Sequence, residues 1–332
     1  MDIINLTKTL INIPSITNDE YEIGLFIEQF FKEQNMDVRL HPVSENRKNV
    51  LVNYSERTEI IFCTHLDTVP PAIPSSVSEE MIYGRGACDA KGIIGSMIHT
   101  ALQLKSKGEN KFALLFVVGE EVDSIGAKYA SSTGISAKYI IVGEPTENKL
   151  AAGQKGSLSY ILHVKGAAGH SAYPESGFSA IHCLLDIIGE LKRNDWGYNE
   201  LLGSSTMNIG TIHGGMSANT IADDAEASVF HRLVDSFEKR KEQVRSIVGD
   251  RASIQFQAQN DPQQLHLVDG FESTIVNFGS DVPYLRNIGT PLLIGPGSIH
   301  DAHTSHEKIS IKDLHIASIL YEKLYFALLK ED

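Results

Sequence analysis

The chain has 332 residues, 42% of them apolar and 21% charged, and a formal net charge of −13. Such a length exceeds one common domain and leaves room for a substantial core, so two domains are expected in a soluble globular protein. The acidic balance, with Lys and Arg scattered rather than clustered, speaks against a nucleic-acid or anionic-membrane surface and leaves small molecules as the expected ligands.

The start Met1-Asp2-Ile3-Ile4-Asn5 lacks the basic opening of a signal peptide, and no apolar run approaches membrane-spanning length, so a cytoplasmic location is expected. Three cysteines, Cys63, Cys88 and Cys183, have no paired spacing. That argues against a disulfide framework or a thiolate zinc knuckle, and a bound metal would use His, Asp and Glu. Cys88 reads as a small buried residue in preference to a nucleophile.

In chain order, helices are expected over 3–11 and, after the Ile13-Pro14-Ser15 turn, over 18–34. Thr17 would cap the second helix, with Glu20 completing a capping box. Strands follow at 38–40, 49–54 and 59–63, the last an apolar run that delivers His65 to a strand end. The bend Tyr83-Gly84-Arg85-Gly86-Ala87-Cys88-Asp89-Ala90-Lys91-Gly92 sets one acid among glycines, which permit a sharp turn that aims a side chain. A helix over 93–105, a strand over 112–118 ending at Gly119-Glu120-Glu121, a helix over 124–132 and a strand over 139–142 ending at Gly143-Glu144 come next. This alternation predicts an α/β domain with a mostly parallel central sheet flanked by helices, its functional groups gathered beyond the carboxyl ends of the strands.

At Lys155-Gly156 the rhythm changes. A strand at 157–164, a helix at 176–191, strands at 206–212 and 222–230, a helix at 236–248 and a strand at 253–257 give the order β-α-β-β-α-β of a ferredoxin-like α+β unit. After Pro262 come a helix, a strand at 291–294, a loop over 295–307 with His303, and a helix at 311–329. Because His303 must reach the same site as His65, residues 156–261 are placed as an insertion in a domain made of 1–155 and 262–332.

His65 and Asp67 share one side of an extended segment, so Asp67 could hold one imidazole nitrogen while the other binds metal. Together with Asp89, Glu121, Glu144 and His303 they form a donor set that suits zinc, cobalt or manganese better than calcium. A carboxylate shared by two ions would allow a dinuclear centre, in which a bridging water has a pKa of roughly 7. Of Glu120 and Glu121, one could bind metal while the other takes a proton; a solvated helix start is the plainer alternative. His170, in Gly169-His170-Ser171, is a candidate carbonyl-polarising group or a simple turn residue, and a Ser-His nucleophile is a poor reading for adjacent residues. Asn219 and Arg232 flank one strand. Arg232 could pair with a substrate carboxylate, an exposed salt bridge being the default for such a residue.

The segments His65-Leu66-Asp67-Thr68-Val69-Pro70, Gly84-Arg85-Gly86 to Gly92, Gly119-Glu120-Glu121, Gly143-Glu144-Pro145-Thr146, Gly169-His170-Ser171 and Asn219-Thr220-Ile221 span nearly the whole chain. In that order the sequence resembles the co-catalytic metallo-amidohydrolases comprising acetylornithine deacetylase, succinyl-diaminopimelate desuccinylase, aminoacylase, glutamate carboxypeptidase and related dipeptidases. The resemblance implies a zinc-peptidase-like catalytic domain with an inserted dimerisation and lid domain, and two divalent metal ions, zinc before cobalt or manganese. It implies His65, Asp89 and Glu144 on one ion and Asp89, Glu121 and His303 on the other, with Asp89 bridging. Glu120 would be the general base, Asp67 the partner of His65, and the Asp89-Ala90 peptide cis. His170 would reach the active site of the neighbouring subunit of a homodimer, and Asn219 and Arg232 would bind the substrate's carbonyl oxygen and carboxylate.

Within the family, Gly295-Pro296-Gly297-Ser298 followed by Ala302-His303 and Glu307 resembles the branch that deacetylates acetylornithine, acetylcitrulline or acetyl-lysine, and places Gly297 at the substrate. His300 and His306 flank His303, which occupies the family's ligand position. Asp281, in Gly279-Ser280-Asp281, resembles a substrate-proximal acid that could face a cationic side chain, or is a loop acid with no role. Two departures stand out: the segment between Pro71 and Tyr83 lacks a Trp-containing pattern, and His231 stands where many members carry an acid. The implied activity is removal of an acyl group, acetyl first, from the α-nitrogen of an amino acid. A metallo-dipeptidase, carboxypeptidase or desuccinylase would use the same centre. A catalytically silent binding protein is the alternative of another class, and the retention of every ligand and of Glu120 counts against it.

Overall fold

A computed structural model describes residues 2–331. The chain divides into two compact units, the first made of 1–152, 265–274 and 280–332, the second of 153–264 and 275–279. The excursion therefore starts three residues before the expected boundary at 155/156 and ends after 261/262, and residues 275–279 belong with it. The reason is a ladder in which Gln154 pairs with Gln263 and Gly153 with Gln264, closing the second unit on itself. Among the described residues, no helix is long and apolar enough to cross a membrane.

The first unit is built on a six-stranded sheet in the order Val38–Ser44, Arg47–Val52, Phe112–Val117, Ile60–His65, Tyr139–Val142, Thr290–Leu293. Ladders among the last four strands are parallel and the two at the other edge antiparallel. Ile60–His65 and Phe112–Val117 are buried at every position, as central strands covered on both faces must be. Helix Lys91–Ser106 packs against helix Ile311–Leu328, and the Tyr321 ring meets Phe62 edge-on at 5.8 Å. Parallel register sets His65 opposite Val117 and Cys63 opposite Val142, so the segments carrying His65, Glu120 and Glu144 leave the sheet at one edge.

Near the N-terminus the expected capping box is not formed. The second helix is Tyr21–Glu33, and Glu20 precedes it without a side-chain cap. The Thr17 hydroxyl instead donates to Asp67 Oδ2 at 2.8 Å, and Glu20 takes both Arg47 Nε and Nη2, at 2.9 and 2.7 Å. A buried guanidinium demands a paired carboxylate more strongly than a helix end demands a neutral cap.

The second unit is a four-stranded antiparallel sheet in the order Thr206–Gly214, Asp224–Leu233, Gly156–Lys165, Ser253–Asn260. Asp224–Leu233 alternates buried and half-buried residues along its length, the mark of a sheet with one face on a core. Leu184, Ile187 and Leu191 of helix Ala180–Arg193 share that core with Val244 and Val248 of helix Phe237–Val248 and with Tyr160, Leu162 and Val229. The first of these helices starts four residues later than expected, because Pro174–Ser176 forms a separate turn and Ser179 supplies the cap to the His182 N–H. His231 is fully buried in this core, its Nε2 3.0 Å from the Tyr160 hydroxyl and its ring 4.2 Å from that of Trp196. The residue that departs from the family pattern is thus part of the packing of the second unit.

Candidate metal centre

His65 ends a central strand with its side chain buried. Its Nε2 lies 2.9 Å from Asp89 Oδ1, while Nδ1 is 3.0 Å from the Asp67 carbonyl oxygen and 3.5 Å from the Asp67 carboxylate. The main chain of Asp67 is therefore the nearer orienting partner. Its carboxylate has another task that sequence spacing did not reveal: it accepts the N–H groups of Gly119 at 3.0 Å, Glu120 at 3.1 Å and Glu121 at 3.2 Å, besides the Thr17 hydroxyl. Burial works against its ionisation, yet the hydrogen bonds from His65 and Thr17 keep the Asp67 carboxyl below its ordinary pKa.

Asp89 follows the glycine-rich bend, and its peptide bond to Ala90 is cis. Gly92 opens the next helix with no room for a side chain, since a Cβ there would lie 2.2 Å from the Ala87 carbonyl oxygen. On the far side, His303 Nε2 sits 3.3 Å from Asp89 Oδ2 and 3.0 Å from Glu121 Oε1. Both neighbours, His300 and His306, are exposed and hydrogen-bond through their main-chain N–H groups to the side chains of Ser298 and Thr304. Gly297 has φ 83° and would place a Cβ 2.7 Å from Cys88 Sγ, so its lack of a side chain is accounted for by the packing behind Asp89. Burial raises the Cys88 and Cys63 thiols well above their ordinary pKa, as expected of inert core cysteines.

The donors fall into two overlapping groups, His65 with Asp89 and Glu121, and His65 with Glu120 and Glu144, each spanning no more than 4.8 Å. Burial first, and then neighbouring acids, raise the carboxyls of Glu120 and Glu144 well above the usual range. Asp281, only 2% exposed, joins them: burial pushes its pKa up to about 6 and its Oδ1 has no hydrogen-bond partner. Asp89 goes the other way, because two imidazoles outweigh its burial and hold its carboxyl well below the ordinary value. Hydrogen bonds to Asp89 and Glu121 raise His303 to about 10, and those to Asp67 and Asp89 raise His65 in spite of its burial.

Acids that crowd together away from water require compensating positive charge. Here they outnumber the imidazoles, and nitrogen and oxygen donors converge at distances a small ion can close. The residues fit a divalent metal of the zinc type, which would bind in exchange for the protons this cluster otherwise retains.

His170, Asn219 and Arg232 belong to the second unit. His170 is exposed and pairs through its backbone with Thr220 in a short ladder, where the Ser171 N–H donates to the Asn219 carbonyl oxygen at 3.1 Å. The Ala172 N–H donates to His170 Nδ1 at 3.1 Å, leaving Nε2 as the outer nitrogen. Arg232 lies between Ser157 and Thr206 on the adjacent strands, its guanidinium 4.7 Å from the Phe230 ring.

Residues 152–255 match the Peptidase dimerisation domain, and residues 49–143 match Peptidase family M28. A peptidase M20 domain-containing protein of Schizosaccharomyces pombe is 36% identical over 325 residues, covering 94% of this chain and 81% of its own. The chain belongs to the M20 peptidase family. It is accordingly an enzyme that hydrolyses amide bonds, with a catalytic α/β domain and an inserted dimerisation domain. Another relative, named "Probable carboxypeptidase" in Aspergillus terreus, is 35% identical over 368 residues, with 97% of this chain and 85% of that protein covered. Two solved structures share the M20 fold at low identity. A tripeptidase from Staphylococcus aureus superposes with a TM-score of 0.86 at 20% identity, over 99% of this chain and 98% of its own. A dinuclear metal binding peptidase from Bacillus subtilis does so with 0.72 at 16%, over 98% and 97%. The ordered motifs thus hold at the level of the M20 metallopeptidases, and the acetyl-amino-acid branch is a finer matter of substrate.

Proposed function

We propose that this M20 hydrolase uses two divalent metal ions, zinc before cobalt or manganese, to cleave an amide whose nitrogen belongs to an amino acid with a free carboxylate. The observation that carries this reading is the convergence of His65, Asp89, Glu121 and His303 on one side and of Glu120 and Glu144 on the other. His65, Asp89 and Glu144 would hold one ion and Asp89, Glu121 and His303 the second. When bound, such ions supply a polarised carbonyl and a water whose pKa is lowered to roughly 7.

The chain's own part is proton transfer and orientation. Glu120, with its carboxyl drawn upward by burial and by Asp281, Glu121 and Asp89, accepts a proton from the attacking water and returns it to the departing amine nitrogen. Asp67 holds the segment that presents Glu120. Asn219 and Arg232 are assigned to the substrate's carbonyl oxygen and carboxylate, and His170 to the carbonyl at the partner's active site in a homodimer. The match of this unit to the Peptidase dimerisation domain supports that pairing. Working inside the cytoplasm is part of the same reading.

Two substrate classes present this amide. Similarity to relatives named as carboxypeptidases favours the last peptide bond of a short peptide. The run Gly295-Pro296-Gly297-Ser298, with His303 and Glu307, favours N-acetyl derivatives of ornithine, citrulline or lysine. Amine release by zinc-loaded protein from N-acetylornithine, N-acetylcitrulline, N-acetyl-lysine, N-acetylmethionine, succinyl-diaminopimelate and several dipeptides decides between them, with Glu120→Ala as control. Turnover of one class, lost in the control, is the expected result. If metal-loaded protein releases amine from none of them, the proposal on substrate is abandoned.

A further inference from the structure

Glu307 lies outside the donor set yet is 1% exposed and fully engaged. Its Oε1 accepts the N–H groups of Cys88 at 3.1 Å and Asp89 at 3.0 Å, and its Oε2 accepts Arg85 Nη1 at 2.6 Å. The main chain repeats the connection, because the Gly84 N–H donates to the Glu307 carbonyl oxygen at 3.0 Å and Lys308 pairs with Tyr83 in the adjoining ladder. Arg85 is itself anchored, its Nε donating to the Pro71 carbonyl oxygen at 3.2 Å. One buried carboxylate therefore fastens the loop that carries Asp89 to the segment that ends the His303 loop.

We propose that Glu307, braced by Arg85, is a positioning residue that fixes the spacing between Asp89 and His303 and so between the two halves of the metal centre. The inference rests on the metal-binding reading above. Physically, both hydrogen bonds to Oε1 come from the peptide groups of the bend, one of them the N–H of Asp89 itself. Without them the bend keeps its glycines and loses the fixed point that aims the Asp89 carboxylate. His303, with φ 61° in the left-handed region, sits on a loop whose downstream end is the same residue, Glu307. Loss of that end frees both partners at once. Partners that orient metal ligands in this way affect metal affinity by about 10- to 100-fold.

Glu307→Gln keeps the size but turns an NH2 group toward either Arg85 or the bend's N–H groups, donor against donor. Glu307→Asp keeps the charge and draws it back by one methylene. The double variant Arg85→Met with Glu307→Gln removes the conflict, letting the amide oxygen accept both N–H groups. Zinc affinity and stoichiometry are measured by chelator competition on purified full-length proteins, thermal unfolding of the zinc-free proteins serves as the folding control, and kcat and KM are measured on the substrate found above. Expected are zinc binding weaker by about 10- to 100-fold in both single variants, kcat lowered more than KM is raised, and recovery of most of the affinity in the double variant. A merely structural ion pair predicts the opposite for the double variant, which would be the least stable and no better at binding zinc.

Folded Glu307→Gln that binds two ions as tightly as the wild type overturns the proposal, and Glu307→Asp is read the same way where the glutamine variant does not fold. Failure of the wild type itself to take up zinc would overturn the metal-centre reading first, a result distinct from unchanged affinity in the variants.

Discussion

The Glu120 N–H points at Asp67 Oδ1 from 3.1 Å, so the residue proposed to move the proton is held through its main chain by the acid two residues past His65. Asp67→Asn replaces one acceptor oxygen with a donor, which then faces either the Gly119 and Glu120 N–H groups or the Glu121 N–H and the Thr17 hydroxyl. We expect kcat to fall by about 10- to 100-fold in a protein that still folds. Thr17→Val removes one hydrogen bond and should lower stability by about 0.5–1.5 kcal/mol in urea unfolding. Wild-type turnover in folded Asp67→Asn would end this account.

Glu120 is within ligand distance of His65 and Glu144 as well as being the proposed base, and metal content separates the two roles. Glu120→Ala is expected to lower kcat by about 10²–10⁴-fold while retaining two ions per chain by elemental analysis. Loss of one ion in that variant would instead make Glu120 a ligand.

Much of this centre was legible in the sequence because its residues follow directly on apolar strands: the periodicity locates the strands, and parallel pairing gathers their ends. His65, Asp89, Glu121, Glu144 and His303 are all named from strand ends or from their motifs; in the structure His65 and His303 each lie with Asp89 and Glu121, while Glu144 lies with His65 and Glu120. What pattern could not supply was the partner of each polar group across long sequence distances. Thr17 and Glu20 have the spacing of a capping box, but Asp67 and Arg47 lie far along the chain and compete for them more strongly. Asp281 could be named as an acid near the substrate, yet its burial depends on how the turn Val282–Leu285 packs against helix Ile125–Ser132, which no local signal records. Glu307 is visible in the sequence only as part of a motif, and the role proposed for it rests on the Cys88 and Asp89 N–H groups it accepts.

Gly92→Ala tests the geometry of the bend. The added Cβ would meet the Ala87 carbonyl oxygen at 2.2 Å, Ile309 Cδ1 at 3.1 Å and Leu314 Cδ2 at 3.2 Å. Because the closest atom is backbone, the Asp89 loop must move. A loss of about 1–3 kcal/mol in stability is expected, together with weaker zinc binding by titration calorimetry. Unaltered zinc affinity would mean that the loop absorbs the change without moving Asp89.

His231 gives the second unit a specific acid sensitivity. Burial, assisted by the Arg240 charge, lowers its pKa from 6.5 to about 4. An unfolded chain therefore takes up this proton near pH 6.5 and the folded chain not until about pH 4. Between those values the unfolded state binds more protons, so stability is lost as pH falls through the window, by about 3 kcal/mol at its lower end. His231→Gln keeps a hydrogen-bonding group toward Tyr160 and removes the titration. Urea midpoints at pH 7 and pH 4.5 should then differ less in the variant than in the wild type, and parallel losses in both would assign the effect elsewhere.

Chelation should abolish hydrolysis and lower the melting temperature, since Asp89, Glu120 and Glu144 would be left close together without the ions proposed to bind them. Readdition of zinc is expected to restore both. A melting temperature indifferent to chelator would argue that the cluster is stable without metal.

The strand Thr290–Leu293 joins the sheet beside Tyr139–Val142 only after the whole second unit has intervened in the chain. During synthesis on a ribosome, His65, Asp89, Glu121 and Glu144 emerge long before His303 and Glu307. Until the last segment arrives, the Tyr139–Val142 edge has no neighbour on one side and exposes unpaired backbone N–H and C=O groups flanked by apolar side chains, which is when a nascent chain is open to wrong pairing. The ion proposed for Asp89, Glu121 and His303 would then have to wait for the C-terminal segment, and a chain that stalls before residue 290 would present a half-built cluster of acids beside an open sheet edge, a natural substrate for chaperones and proteases.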